Sequence, residues 1–222
     1  MKFEKILNNG ILFNIYQRIV LGKKGNDCMK KFFTPTLSYK SSGDERRVKV
    51  LDIGCGPGTY VPYLLDTDYT GIDVNDGNIT LAKRKYAKFP NIKFITDDVS
   101  KCLMNDTVFI NTYDIIFMSG ILHHLSMDDK RQILSYIPKL LEKENGEFRS
   151  CDSVYTKEQP KISKWVMSHD RGKYILEMDD YIQLIKEYLP FVECNLRSDC
   201  MLFPFPYPIM FCKGCLNEKT RY

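Results

Sequence analysis

Three glycines within five positions, directly after an apolar run, constrain this chain more than any other feature: Val50-Leu51-Asp52-Ile53-Gly54-Cys55-Gly56-Pro57-Gly58. Val48–Ile53 reads as a buried strand and Tyr60–Leu65 as a helix. Glycine at 54 and 56 lets the backbone turn sharply and come close to a ligand, because no Cβ intervenes. The N–H groups that open the following helix then face that ligand. Nineteen residues after Gly54, Asp73 closes a second strand, Tyr69–Asp73. A carboxylate there accepts hydrogen bonds from both hydroxyls of a ribose. Glycine loop plus acid one strand later predicts a nucleoside bound across the tops of the two strands. The bland alternative is a tight turn with no ligand.

Around this loop, short β-rich runs alternate with helical stretches, the signature of a parallel sheet covered on both faces. Residues 3–33 read as one or two amphipathic helices, and Ser41-Ser42-Gly43-Asp44 as a polar break. Asn75–Lys88 is the second helix, Ile92–Thr96 the third strand and Tyr113–Met118 an apolar fourth. Ser126 with Asp129 fits a capping box for a helix running to about Lys143. Glu147–Asp152 is strand five, residues 155–176 are irregular, and Met178–Tyr188 is a helix stopped by Pro190. Phe191–Arg197 and Pro208–Cys212 suggest a final antiparallel hairpin. The expected fold is α/β: a Rossmann-like, doubly wound, seven-stranded sheet, mostly parallel with an antiparallel last strand.

With 222 residues and 44% hydrophobic content, one such domain is expected. Residues 1–45 would form a helical lid, 46–152 the ligand-binding core, and 153–222 a substrate segment with the last strands. A net charge of +4 with scattered lysines and arginines calls for no nucleic acid. The apolar stretch Ile6–Leu21 is interrupted by Asn8, Asn9, Asn14, Gln17 and Arg18, so no export signal or membrane span is expected. The cytoplasm is then the default compartment, and the eight cysteines read as reduced thiols. Cys212 and Cys215 form one CxxC pair without further ligands at zinc-site spacing, so no metal is expected.

A dinucleotide fold prefers GxGxxG, whereas here the spacing is GxGxG and Thr59 stands where the third glycine would be. Asp52, two residues before Gly54, can hold an ammonium group, which favours a nucleoside with an amino-acid end over a pyrophosphate. In this, Val50–Gly58 resembles the first motif of class I S-adenosylmethionine (SAM)-dependent methyltransferases. Gly71-Ile72-Asp73 resembles their second motif, Phe94–Val99 their third and Tyr113–Leu125 their fourth, over residues 45–150. The resemblance implies SAM as cofactor and S-adenosylhomocysteine as product. Asp52, Gly54, Cys55, Gly56 and Gly58 would take the methionine end, Asp73 the ribose, and Val74 the adenine ring. Asp98 would accept from the adenine amino group, although Asp97 competes for that place, and the Val99 N–H would meet a ring nitrogen. Ser119 and Gly120 would offer backbone to the methionine part.

A sulfonium is already an activated methyl donor, so alignment carries much of the rate, and a base helps where the acceptor must lose a proton. His123 and His124 follow strand four at the sheet's carboxyl edge. Relatives that methylate phosphobases or quinone precursors match His124, which makes it the expected base, with His123 nearer the substrate. Tyr16, Tyr155, His169, Asp170 and Arg171 are further substrate-side candidates, though Tyr16 also suits core or lid and Asp170–Arg171 an internal ion pair. The marks of DNA, arginine and magnesium-dependent catechol methylation are missing. A small-molecule acceptor methylated on oxygen or nitrogen is therefore expected, with no nucleic-acid or membrane partner and the oligomeric state open. The rivals are a non-catalytic SAM-binding scaffold and a nicotinamide-dependent oxidoreductase.

Overall fold

A computed structural model describes residues 10–35, 46–98, 113–169 and 173–218, with backbone alone for 10–20. The first helix, α1 (Gly10–Phe33), is broken at Gly22, whose φ of 58° and ψ of −167° are not helical. A Cβ at this residue would come within 2.7 Å of the Leu202 side chain, so only glycine suits both the conformation and the contact. Beyond it follow β1 (Lys49–Ile53), β2 (Asp68–Asp73), α2 (Asp76–Lys85), β3 (Ile92–Thr96), β4 (Ile115–Ser119), α3 (Met127–Leu140) and β5 (Glu147–Tyr155). The chain continues through α4 (Lys161–Ser168), β6 (Leu176–Glu177), α5 (Met178–Lys186), β7 (Phe191–Arg197) and β8 (Ile209–Cys215).

The strands lie in the order β3-β2-β1-β4-β5-β8-β7, with the two-residue β6 beside β5. From β3 to β5 all neighbours are parallel; β8 alone runs against both β5 and β7. The seven-stranded sheet with one antiparallel strand is thus as expected, and β6 adds a short eighth. The order reverses direction between β1 and β4, and in open sheets of this kind ligands bind at the carboxyl ends beside such a switch.

Side-chain alternation divides the core into two layers. Val50, Tyr69, Phe94, Ile115 and Phe117 face one side, where they meet Phe32 and Phe33 of α1, Ile79 and Ala82 of α2 and Met167 of α4. Leu51, Ile53, Ile72, Ile116 and Met118 face the other, packing on α3 and α5 through Ile133, Leu134, Ile137, Tyr181, Leu184 and Ile185. The buried Arg149 ties α1 down: its Nη1 donates to the Phe32 carbonyl at 2.5 Å while Glu147 holds the guanidinium at 3.0 Å.

Three sequence expectations change. The helix over Tyr60–Leu65 is only a 3-10 turn, Val61–Tyr63. Thr67 Oγ1 donates to the Leu64 carbonyl at 2.7 Å and turns the chain into β2 before a helix can propagate. The stretch 155–176 contains α4, whose Ser163 and Met167 point inward while Ile162 and Trp165 stay exposed. The cysteines are not all reduced: Cys194 and Cys212 are directly opposed on β7 and β8, with Cα atoms 4.2 Å apart, and form a disulfide. Cys212 therefore pairs across the sheet and not with Cys215. Among the described residues, no helix is long and apolar enough to cross a membrane.

Candidate active site at the carboxyl ends of β1, β4 and β5

The turn after β1 is built by conformations that disfavour side chains: Gly54, Gly56 and Gly58 have φ of 73°, 54° and 71°. The three are not equivalent. A Cβ on Gly54 would collide with Ile121, and one on Gly58 would come within 2.8 Å of Tyr86, so these two serve packing. A Cβ on Gly56 would meet nothing within 4 Å. Gly56 therefore borders open space, as the cradle for a closely approaching ligand requires.

Asp73, at the end of β2, receives the Gly56 N–H on Oδ2 and the Asn75 N–H on Oδ1, both at 2.8 Å. These bonds fix the carboxylate at the loop and leave each oxygen a further lone pair for hydroxyl donors. Asp52 is buried beneath the loop, where Tyr69 donates its hydroxyl to Oδ2 at 2.7 Å. Burial pushes the Asp52 carboxyl up to about 7 against the opposing pull of that hydroxyl, and the charge of Asp73 adds to the rise. A buried carboxyl poised in this way suits a cationic ligand group. The Cys55 thiol lies in the same layer and is raised by burial first and by Asp52 and Asp73 next, so it stays protonated.

Val74 projects beside this cradle at 72% exposure, available to a flat apolar ring. Asp98 is exposed, and its N–H is taken by Asp97 Oδ1 at 2.7 Å. Val99, Asp170 and Arg171 lie outside the described residues, as does the side chain of Tyr16. Tyr60, which the sequence offered no reason to single out, stacks on Phe33 with centroids 3.9 Å apart and bonds the Ser119 side chain. Burial raises its phenol well above the ordinary value.

Past Ser119, Gly120 turns the chain with φ 67°, its N–H on the Cys151 carbonyl at 2.8 Å. Here β4 and β5 end side by side, and Asp152 gathers the following turn. It accepts the Leu122 N–H at 3.1 Å, the His123 N–H at 3.2 Å and the His123 ring at Nδ1. A carboxylate only accepts, so a ring proton sits on Nδ1. The Cε1 edge of the ring lies 3.8 Å from where a Gly120 Cβ would stand. The His123 side chain is 11% exposed and that of Asp152 fully buried. His124 is exposed, its ring 4.1 Å from that of His123. Asp152 carried no signal in the sequence beyond ending strand five; only the pairing of β4 with β5 places it under His123. Tyr155 packs partly buried against the α1-side core. His169 is exposed just past α4, its Nδ1 bonded to the Trp165 carbonyl at 2.8 Å and its ring tilted at 39° to that of Trp165 with centroids 4.5 Å apart.

The arrangement combines an open glycine loop flanked by two carboxylates, Asp52 and Asp73, with an imidazole past β4 that is bonded to a buried carboxylate. Residues 50–144 match the family described as a methyltransferase domain. Methylphloroacetophenone synthase of Cladonia uncialis is 25% identical over 127 residues, which cover 54% of this chain and 5% of that protein. Malonyl-[acyl-carrier protein] O-methyltransferase 1 of Ilyobacter polytropus is 23% identical over 118 residues, 51% of this chain and 41% of that protein. The chain thus spans about one twentieth of the length of several curated relatives, among them non-reducing polyketide synthases of Penicillium brasilianum. Among solved structures, a phosphoethanolamine N-methyltransferase of Haemonchus contortus in complex with SAM superposes with TM-score 0.64 at 14% identity, over 88% of this chain and 53% of that one. NodS, an N-methyltransferase of Bradyrhizobium japonicum, gives 0.61 at 16%, over 86% and 96%. The carbon methyltransferase of CurJ gives 0.62 at 16%, over 80% and 51%. At these identities the superpositions speak to the fold.

Proposed function

We propose that this chain is a class I SAM-dependent methyltransferase, a reading its match over residues 50–144 and its fold support, and that it methylates a small molecule at an atom that must shed a proton. The observation that carries the reading is His123 seated on buried Asp152 against Gly120. SAM, when bound, supplies an electrophilic methyl group on its sulfonium. The residues fit it: Gly56 leaves the approach open, Asp73 would accept from the ribose hydroxyls, and Asp52 would balance the ammonium of the methionine end. Exposed Val74 would cover the adenine, and Ser119 and Gly120 would border the methionine part.

The rest of the work falls to the chain. His123 Nε2 takes the proton from a hydroxyl, amine or activated carbon as that atom gains its methyl. Asp152 holds the ring in the tautomer that exposes Nε2 and stabilises the imidazolium that results. Carbon stands beside oxygen and nitrogen because solved structures of similar fold include carbon methyltransferases. His124 remains the neighbour that completes the turn.

The test is transfer of labelled methyl from SAM to a panel of phenols, amines and β-dicarbonyl compounds, with wild-type protein and His123→Gln. Label in product that depends on His123 supports the reading. SAM binding without transfer to any class, together with a His123 that can be replaced at no cost, favours the scaffold alternative instead.

A further inference from the structure

On the far side of the glycine loop from His123, an open cavity lies between the end of α2 and β3, the edge strand of the sheet. Its volume is about 680 Å³. Sites that hold small molecules run from about 300 to 1,000 Å³. The wall is mostly apolar, formed by Tyr86, Phe89, Ile92 and Phe94 among others, and the rings of Tyr86 and Phe94 stack 5.9 Å apart at 29°. Two cations line it from different elements, Lys83 of α2 and Lys93 of β3. Both are exposed, and no carboxylate is among the residues that line the cavity. Among the described residues, neither lysine is in a salt bridge. A third ammonium, that of Lys85, stands 4.8 Å from the centre of the Tyr86 ring.

Such a wall selects by chemistry. Flat rings favour a flat apolar body in offset contact. Ammonium groups with no carboxylate between them favour an anionic end over a neutral or cationic one.

The cavity also shares its wall with the glycine loop. The Tyr86 hydroxyl donates to the Gly58 carbonyl at 2.8 Å. A Cβ built on Gly58 would stand 2.8 Å from Cε2 of Tyr86 and 3.3 Å from Cζ of Phe94. The same two rings therefore support the loop and wall the cavity. Close-packed groups transmit displacement, so a molecule seated on these rings biases the loop that they hold.

We infer that this cavity is a second ligand site, for a small aromatic anion of the aryl carboxylate or sulfonate class, and that its occupancy changes affinity at the glycine loop through Tyr86. The coupling rests on the reading of that loop as the SAM cradle. By linkage, a ligand in the cradle changes the anion's affinity by the same factor.

The experiment uses anilinonaphthalene sulfonate, an aromatic anion whose fluorescence rises in apolar surroundings, on the full chain. Its affinity is measured without and with S-adenosylhomocysteine, for wild type, a Lys83→Glu/Lys93→Glu double variant and Tyr86→Phe. One probe per chain is expected to bind wild type, also when S-adenosylhomocysteine is saturating. The double variant should bind the probe more weakly by about tenfold or more, with S-adenosylhomocysteine affinity in the absence of probe unchanged. Simple competition between probe and S-adenosylhomocysteine would put the probe in the cradle and overturn the site. An unchanged probe affinity in the folded double variant overturns it too. Should the double variant not fold, the two single reversals replace it, each expected to weaken the probe about threefold. For the coupling, the probe should change S-adenosylhomocysteine affinity of wild type by about fivefold or more. Tyr86→Phe should bind the probe and lose most of that change. Equal S-adenosylhomocysteine affinity with and without bound probe in wild type overturns the coupling. Failure of the underlying reading looks different: S-adenosylhomocysteine would not bind at all, while the dependence of the probe on Lys83 and Lys93 is read without it.

Discussion

His123 and Asp152 are 29 residues apart in sequence and share a hydrogen bond where β4 and β5 end. The carboxylate takes the ring and the two backbone N–H groups of the turn, so one buried side chain fixes both the imidazole and the loop that carries it. His123→Gln is expected to cut methyl transfer by about 10²- to 10⁴-fold while SAM affinity changes by less than threefold. His124→Gln should retain activity within about threefold, because the oriented ring is the one on Asp152. Turnover of both variants per folded molecule, with SAM affinity by calorimetry, checks the split. A large loss confined to His124→Gln would move the base by one residue.

Asp52 predicts an unusual pH dependence. Its carboxyl is raised to about 7 in the folded chain from an ordinary value of 3.8. Below about pH 4 it is protonated in folded and unfolded states alike, and its contribution to stability is complete. As the pH rises toward 7 the unfolded state ionises first, and that contribution is lost. Ligand-free Asp52→Asn should therefore unfold at a higher temperature than wild type at pH 8, with the difference vanishing near pH 4. A ligand ammonium beside Asp52 favours the ionised form, so wild-type SAM affinity should rise between pH 6 and 8, and Asp52→Asn should lose that rise. Parallel pH profiles for the two proteins would remove Asp52 from the binding site.

Gly54 and Gly56 separate packing from binding. Both have positive φ, which costs an alanine about 1–2 kcal/mol in either position. At Gly54 the new methyl also meets Ile121, whereas at Gly56 it enters open space. Gly54→Ala should lower the melting temperature more, and Gly56→Ala should weaken SAM binding more. Thermal unfolding with and without S-adenosylhomocysteine distinguishes the two; equal effects on both measures would contradict the cradle.

The cofactor itself is tested by stabilisation. SAM and S-adenosylhomocysteine at about 100 times their dissociation constants should add about 2.7 kcal/mol to unfolding, and NAD nothing. Asp73→Ala should abolish most of that gain, since it removes the ribose acceptor and frees the Gly56 N–H. Stabilisation by NAD instead would point to the oxidoreductase alternative.

The Cys194–Cys212 bond joins the two strands at the β7 edge of the sheet. Cys194→Ser should destabilise the oxidised protein by about 2–4 kcal/mol and leave SAM affinity unchanged, because the cradle lies beyond β4 and β1. Denaturant unfolding with and without reductant measures it, and wild type should drop to the level of the variant when reduced.

The sequence by itself determined the sheet and marked the loop and acid proposed for the cofactor. Strand alternation, three glycines and an acid one strand later are local patterns, and a parallel sheet offers one place for them to meet. The capping of α3 by Ser126 was equally legible, because the Asp129 N–H finds that hydroxyl within a single turn at 3.2 Å. Long-range pairing decided the rest. Register brought Asp152 under His123, and set Cys194 opposite Cys212 where every cysteine had read as a reduced thiol. Burial lifted the Asp52 carboxyl, and packing drew Lys130 inward against the preference of its own helix end. A charge or thiol acquires its chemistry from what surrounds it, and those surroundings come from chain segments whose distance in sequence leaves no local trace.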